Sequence, residues 1–231
     1  MTKLVLASQS LGRKKLLDYL QIPYEIIPSE VDEDKITAKT PLDTLQLRAR
    51  LKAENVAQKL SSTRLYPLDA RRLFILSADS GAILDAELIG KPKDKKDAVK
   101  ILKKLSGRTH QFVTAVYIVK LSTNKSKYKV EKHRTSPLKN TQKALQSDSP
   151  GVLKSEVIFN GISKSSVTFR KLDKDEIDFY LKTINFRRYA ASYALVSAQN
   201  FITRITGSTS NIIGLPLEIV IPILREQKLL L

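Results

Sequence analysis

The chain has 231 residues, 42% hydrophobic and 27% charged, with no cysteine. That length admits one large domain or two small ones. Disulfides and thiolate zinc sites are excluded, and no apolar run reaches the roughly 18 residues that span a membrane. Lys and Arg number 40 against 23 Asp and Glu, a net charge of +17 that favours polyanionic partners without choosing among nucleic acid, nucleotides and anionic membranes.

Leu4-Val5-Leu6-Ala7 reads as a short buried strand. It is shorter than the apolar region of a secretory signal, roughly 7–15 residues, so a cytoplasmic setting is expected. Ser8-Gln9-Ser10 is small and polar, and Leu16, Leu17 and Leu20 then recur at helical spacing. Arg13, Lys14 and Lys15 crowd the first turn, although a helix start is already positive. A strand that turns through hydroxyl residues into a helix offers free backbone N–H groups to an anion, and cations behind it suit a ligand with several negative charges. The segment reads as a polyphosphate cradle; taken alone, a solvated helix face is the simpler alternative.

Tyr24 to Pro28 reads as a strand, followed by the acidic "SEVDED", where Glu30, Asp32, Glu33 and Asp34 offer carboxylates for Mg²⁺ or form a solvated loop. A long helix runs from about Pro41, capped by Thr40, to about Leu60, with Leu45, Ala49, Ala53, Val56, Ala57 and Leu60 as its apolar stripe. "LFILSADS" is a buried strand that places Asp79 at its polar end, a position suited to a metal ligand or general base. "AILDAELIG" reads as a hairpin turning at Asp85-Ala86. Gly90-Lys91-Pro92 is not a P-loop, since proline stands where Ser or Thr is required, but its lysine can reach a phosphate.

Asp94 to Leu105 reads as a helix closed by Gly107, and "HQFVTAVYIVKL" as a strand. Residues 120–154 carry many Lys and Arg but only Glu131 and Asp148 as acids, and read as a basic low-complexity insertion. Solubility explains that charge most simply, and weak nucleic-acid binding is the alternative. "SSVTFRKL" reads as a strand, "DKDEIDFYLKT" as a capped helix, "NFITRIT" as a strand, and "SNIIGLPLEIVIPILREQ" leads into a C-terminal helix. The alternation predicts an α/β or α+β fold with a mixed sheet, residues 1–231 forming one body. His110 and His133 do not make a zinc pair, and neither a Ser-His-Asp arrangement nor a GxGxxG fingerprint is present.

Five segments in order resemble the Maf family of nucleoside triphosphate pyrophosphatases: "LVLASQSLGRKKLL", "SEVDED", "RARLKAENVA", "SADSGAILDAELIGKPKDKKDAVKILKKLSGRTHQFVTAV" and "GSTSNIIGLPL". The resemblance implies a Maf/ITPase-like fold, an elongated mixed sheet flanked by helices in two lobes with a cleft between them. It implies hydrolysis of a nucleoside triphosphate to the monophosphate and pyrophosphate with a divalent cation, Mg²⁺ or Mn²⁺. Asp79 would be the proton acceptor and a metal ligand, Glu33 would hold metal or water, and Ser8, Arg13, Lys52 and Lys91 would bind the triphosphate. Beside the substrate, a homodimer is compatible with the resemblance, and no membrane partner is expected. Leu11-Gly12 replaces the family's Pro-Arg, Ser80 its threonine or glutamine, and "RRYAASYALVS" only faintly matches its Asp-Lys-Ala-Gly-Ala-Tyr-Gly-Ile-Gln, with Val196 at the glutamine. Those positions sort base preference in the family, so the resemblance assigns no base. The alternative reading is a catalytically weakened relative that binds nucleotide or nucleic acid.

Overall fold

A computed structural model describes residues 3–62, 73–123 and 153–230. Among these residues seven strands form one mixed sheet: β1 (Lys3–Leu6), β2 (Tyr24–Ile26), β3 (Leu73–Leu84), β4 (Glu87–Ile89), β5 (Thr109–Thr123), β6 (Leu153–Phe169) and β7 (Ile202–Thr206). Their order is β2-β1-β3-β5-β6-β7, with β4 paired beside β3. β1 lies parallel to β2 and β3, and the remaining pairs are antiparallel. The helices are α1 (Leu11–Tyr19), α2 (Pro41–Ser62), α3 (Lys95–Leu105), α4 (Lys174–Thr183), α5 (Thr209–Ile213) and α6 (Leu217–Glu226). None among the described residues is long and apolar enough to cross a membrane.

Local chemistry accounts for the boundaries. Thr40 caps α2 by accepting from Asp43 N at 3.1 Å, Asp94 caps α3, and Asp173 with Glu176 forms a capping box on α4. The apolar runs of β1 and β3 are buried on both faces because helices cover both sides. Three apolar clusters divide the interior. One lies under α2 (Ala49, Val56, Ile75), and another on the opposite face under α1 and α6 (Leu17, Phe74, Leu224). The third gathers at the other end of β3 with α3 and α4 (Leu84, Leu102, Tyr180). β3 passes from the first two into the third, and Asp79 lies on it between them.

Some boundaries differ from the sequence reading. β2 stops at Ile26, since Ile27 donates only a single further bond, to Leu6 O. β6 runs over Leu153–Phe169 instead of residues 165–172. Its first half is largely exposed, so apolar alternation does not mark it, but continuous pairing with β5 supports it across a bulge at Ile118/Val119. The two ends of the basic segment therefore belong to β5 and β6, and residues 124–152, with His133, lie outside the described residues.

The hairpin turn at Asp85-Ala86 forms where expected, with φ of 53° and 59°. Two left-handed residues make a type I′ turn, whose second position favours glycine. Ala86 is exposed, so Ala86→Gly is expected to stabilise the fold by about 1 kcal/mol, read as a higher urea midpoint with unchanged slope.

His110 is buried against Phe169 and Tyr193, its Nε2 2.9 Å from the Tyr193 hydroxyl. Burial pushes its pKa down to about 4. The folded state thus keeps His110 neutral while the unfolded chain protonates near pH 6.5. Stability from this group is complete above that pH and is lost as pH falls toward 4. Urea melts are expected to show a loss of about 3 kcal/mol from this source between pH 7 and 4, missing from His110→Gln.

Candidate active site

β1 ends at Leu6, and Ser8 and Ser10 lead into α1. Ser10 caps the helix by accepting from Arg13 N at 3.5 Å. Of the three cations in this first turn only Arg13 is buried, at 7% exposure, while Lys14 is partly covered and Lys15 exposed. The Arg13 guanidinium donates to Gly214 O from Nε (2.8 Å), to Ser8 Oγ from Nη1 (2.9 Å) and to Ser80 Oγ from Nη2 (3.0 Å). Three of its five N–H groups are thereby committed, leaving two to face a ligand. Burial works to lower its pKa, and Asp79 and Glu33 oppose that.

α2 presents its apolar stripe to the sheet, and Lys52 stands inside that stripe between Ala49 and Val56. Ser77 on β3 donates to Ala49 O at 2.6 Å, fixing α2 against the strand. Lys52, 3% exposed, then reaches Asp79 Oδ1 at 2.6 Å, Glu33 Oε1 at 2.6 Å and Ala78 O at 3.4 Å. All three ammonium protons have partners, and two carboxylates from distant parts of the chain converge on one cation. Glu33 arrives on a 3-10 turn, Glu33–Lys35, in the acidic loop. Its burial acts to raise the pKa, but Lys52, Lys91 and Arg13 together hold the carboxyl below its ordinary value. Asp79, 4% exposed, also faces Arg48 Nη1 at 3.9 Å.

Ser8, Arg13, Glu33, Lys52 and Asp79 thus gather at one place through direct contacts and charge, and exposed Lys91 acts on Glu33 through its charge. Glu30 pairs with Lys59 and Asp32 with Lys35, so these acids of the loop are engaged elsewhere. Four cations (Arg13, Arg48, Lys52, Lys91) around two carboxylates leave positive charge in excess, an environment suited to an anion. The donor set also fits a hard divalent cation, which takes one or two carboxylates and completes its shell with phosphate oxygens and water. No group of three or more His, Cys, Asp or Glu capable of holding a metal occurs among the described residues, so phosphate oxygens would have to supply the balance.

Arg48, Thr114, Asn211 and Gly214 also belong to the site, and sequence reasoning did not single them out. Ser80 enters the sequence reading only as a position of base preference. Arg48 had a signal: it lies one helical turn before Lys52, on the same face. Gly12 is also accounted for. A Cβ there would lie 2.7 Å from Ile213 O and 3.0 Å from Ile213 Cγ2, so the family's arginine cannot stand at position 12 without moving α5. Ala191, where the family pattern has glycine, adopts φ 55° and donates to Gly90 O at 2.7 Å. Val196 is 75% exposed.

The model of the family "Maf-like protein" matches residues 3–227. The chain belongs to the Maf-like family. Similar to this Maf-like chain is the dTTP/UTP pyrophosphatase of Ruminiclostridium cellulolyticum, 32% identical with 94% of this chain and 92% of the relative covered. So are those of Pyrococcus furiosus (30%; 97% and 95%) and Aquifex aeolicus (32%; 99% and 97%). Among solved structures, the Staphylococcus aureus Ham1 protein is 16% identical, with a TM-score of 0.42 over 98% of this chain and 100% of that one. A likeness that loose says nothing about the chemistry of the site.

Proposed function

We propose that this chain hydrolyses nucleoside triphosphates between the α and β phosphates, giving the monophosphate and pyrophosphate. The observation that carries the reading is Lys52 holding Asp79 and Glu33 at 2.6 Å each, beside an immobilised Arg13. Asp79 is the proton acceptor for the attacking water, because Lys52 and Arg48 hold its carboxylate in one orientation within a buried site. Arg13 offers its two uncommitted N–H groups to phosphate oxygens. Ser8 Oγ already accepts from Arg13 Nη1 and Ser10 N, so its own proton can go to the ligand. Lys91 adds charge at the open side of the site, and Lys52 can trade a carboxylate for a phosphate oxygen when substrate enters.

Glu33 and Asp79 would hold Mg²⁺ or Mn²⁺ together with the phosphates, and the ion would supply Lewis-acid stabilisation of charge on the pyrophosphate. Glu33 is poised for this because Lys52, Lys91 and Arg13 hold its carboxyl below the ordinary value. Since the relatives are named for dTTP and UTP, these are the first substrates to try, while Gly12, Ser80 and Val196 leave the base open.

Pyrophosphate release should be measured on dTTP, UTP, other natural triphosphates and modified ones, with Mg²⁺, Mn²⁺ or EDTA. Release that needs the metal and favours some bases is expected. Silence from folded protein across the panel would instead support a weakened relative that only binds nucleotide.

A further inference from the structure

The loop that carries Glu33 has no anchor in the core, since no residue from Pro28 to Thr40 is buried. It lies instead along one polar stripe of α2. Thr44, Arg48, Lys52, Asn55 and Lys59 recur every three or four residues, the spacing of a single helix face. Each bonds a successive point of the loop, in reverse order. Lys59 Nζ donates to Pro28 O at 3.1 Å, and Asn55 Oδ1 accepts from Glu30 N at 3.0 Å. Lys52 meets Glu33 Oε1 at 2.6 Å. Arg48 Nε donates to Ile36 O at 3.0 Å, and Thr44 Oγ1 accepts from Ala38 N at 2.9 Å. Loop and helix thus run antiparallel, laced by side chains. Asn55 and Arg48 grip the loop three residues before Glu33 and three residues after it.

We infer that Asn55 and Arg48 are positioning residues that bracket Glu33 and hold its carboxylate at the site. This rests on the hydrolase reading, in which Glu33 would hold a divalent cation. Lys52 holds only the carboxylate, and it is drawn to phosphate when substrate enters. The flanking bonds to the backbone then keep Glu33 in place. A loop with no buried residue and exposed backbone bonds belongs to the segments that open locally at low cost. The apparent affinity for the ion falls with the fraction of molecules in which the loop is closed. Asn55 and Arg48 set that fraction.

The test compares Asn55→Ala and Arg48→Met with Gln58→Ala, a change at an exposed residue of α2 outside the stripe. Hydrogen exchange is read first, without substrate, at the Lys35 and Ile36 amides, which bond Asp32 O and Glu33 O within the turn. Both should exchange about fivefold faster in Asn55→Ala and in Arg48→Met, the effect of one ordinary hydrogen bond. The Ile75 amide in β3 should keep its wild-type rate. With a triphosphate that the wild type turns over, Asn55→Ala should need about fivefold more Mn²⁺ for half its maximal rate. Its kcat at saturating Mn²⁺ should match the wild type, a split that a merely structural role would not produce. Arg48→Met should lose kcat as well, because Arg48 also faces Asp79. Wild-type exchange at Lys35 and Ile36 in both variants, or an unchanged Mn²⁺ requirement in Asn55→Ala, would overturn the inference. The same shifts in Gln58→Ala would overturn it too. A wild type inactive on every triphosphate defeats the hydrolase reading, while exchange still decides whether these two residues hold the loop.

Discussion

Exchanging Asp79 for asparagine is expected to lower turnover on nucleoside triphosphates about a thousandfold, within the range for loss of a positioned general base. Asparagine keeps the shape and an acceptor oxygen for the Lys52 ammonium at 2.6 Å, but cannot take a proton from water. The site around it is rigid: Ser77 ties β3 to α2, and Asp79 sits opposite Ala115 in the sheet. The loss should therefore fall on kcat, with nucleotide affinity and thermal midpoint little changed. Steady-state pyrophosphate release beside a melting curve checks it, and unchanged turnover would remove Asp79 from the role of proton acceptor.

The second large effect is on stability. Lys52→Met removes the cation that touches both Asp79 and Glu33 and is expected to destabilise the fold by about 3 kcal/mol or more, because carboxylates near each other lose their shared partner. Methionine fills most of the space, so the effect is electrostatic. The sign of its pH dependence is set by Glu33. Without Lys52, only Lys91 and Arg13 oppose the desolvation of Glu33, so its pKa lies higher than in the wild type and the variant gives up less stability than the wild type as pH falls. The deficit relative to wild type should be smaller at about pH 4 than at about pH 7.5. Urea unfolding at both values tests this, and Glu33→Gln combined with Lys52→Met should recover part of the loss. An equal deficit at both pH values would show that packing, not charge, is what Lys52 contributes.

Much of the fold is legible in the residues because local signals agree with tertiary demands. Thr40, Asp94 and Asp173 cap the helices where the sequence places them, and the Leu73–Leu76 run is buried as such a run should be. The first half of β6 is not legible, since exposed pairing leaves no apolar alternation. At the site, Asp79 stands out as an acid that follows a buried apolar run, although β3 does not end there as the sequence suggests but continues to Leu84 and leaves Asp79 in mid-strand. Lys52 does so only by resemblance, although a lysine inside a buried helix stripe is itself a physical anomaly. The Ser80–Thr114 contact is invisible without the register that sets β3 against β5. Likewise, Arg13 reads as a helix-face cation until Gly214, 201 residues away in sequence, supplies its carbonyl.

The most direct test of the central claim is the product balance of a single turnover mixture, with nucleotides and phosphates separated by anion exchange. The proposed hydrolysis between the α and β phosphates predicts nucleoside monophosphate and pyrophosphate in equal amounts, from at least one triphosphate in the presence of Mg²⁺ or Mn²⁺. Diphosphate with orthophosphate, or no product from folded protein, would contradict it.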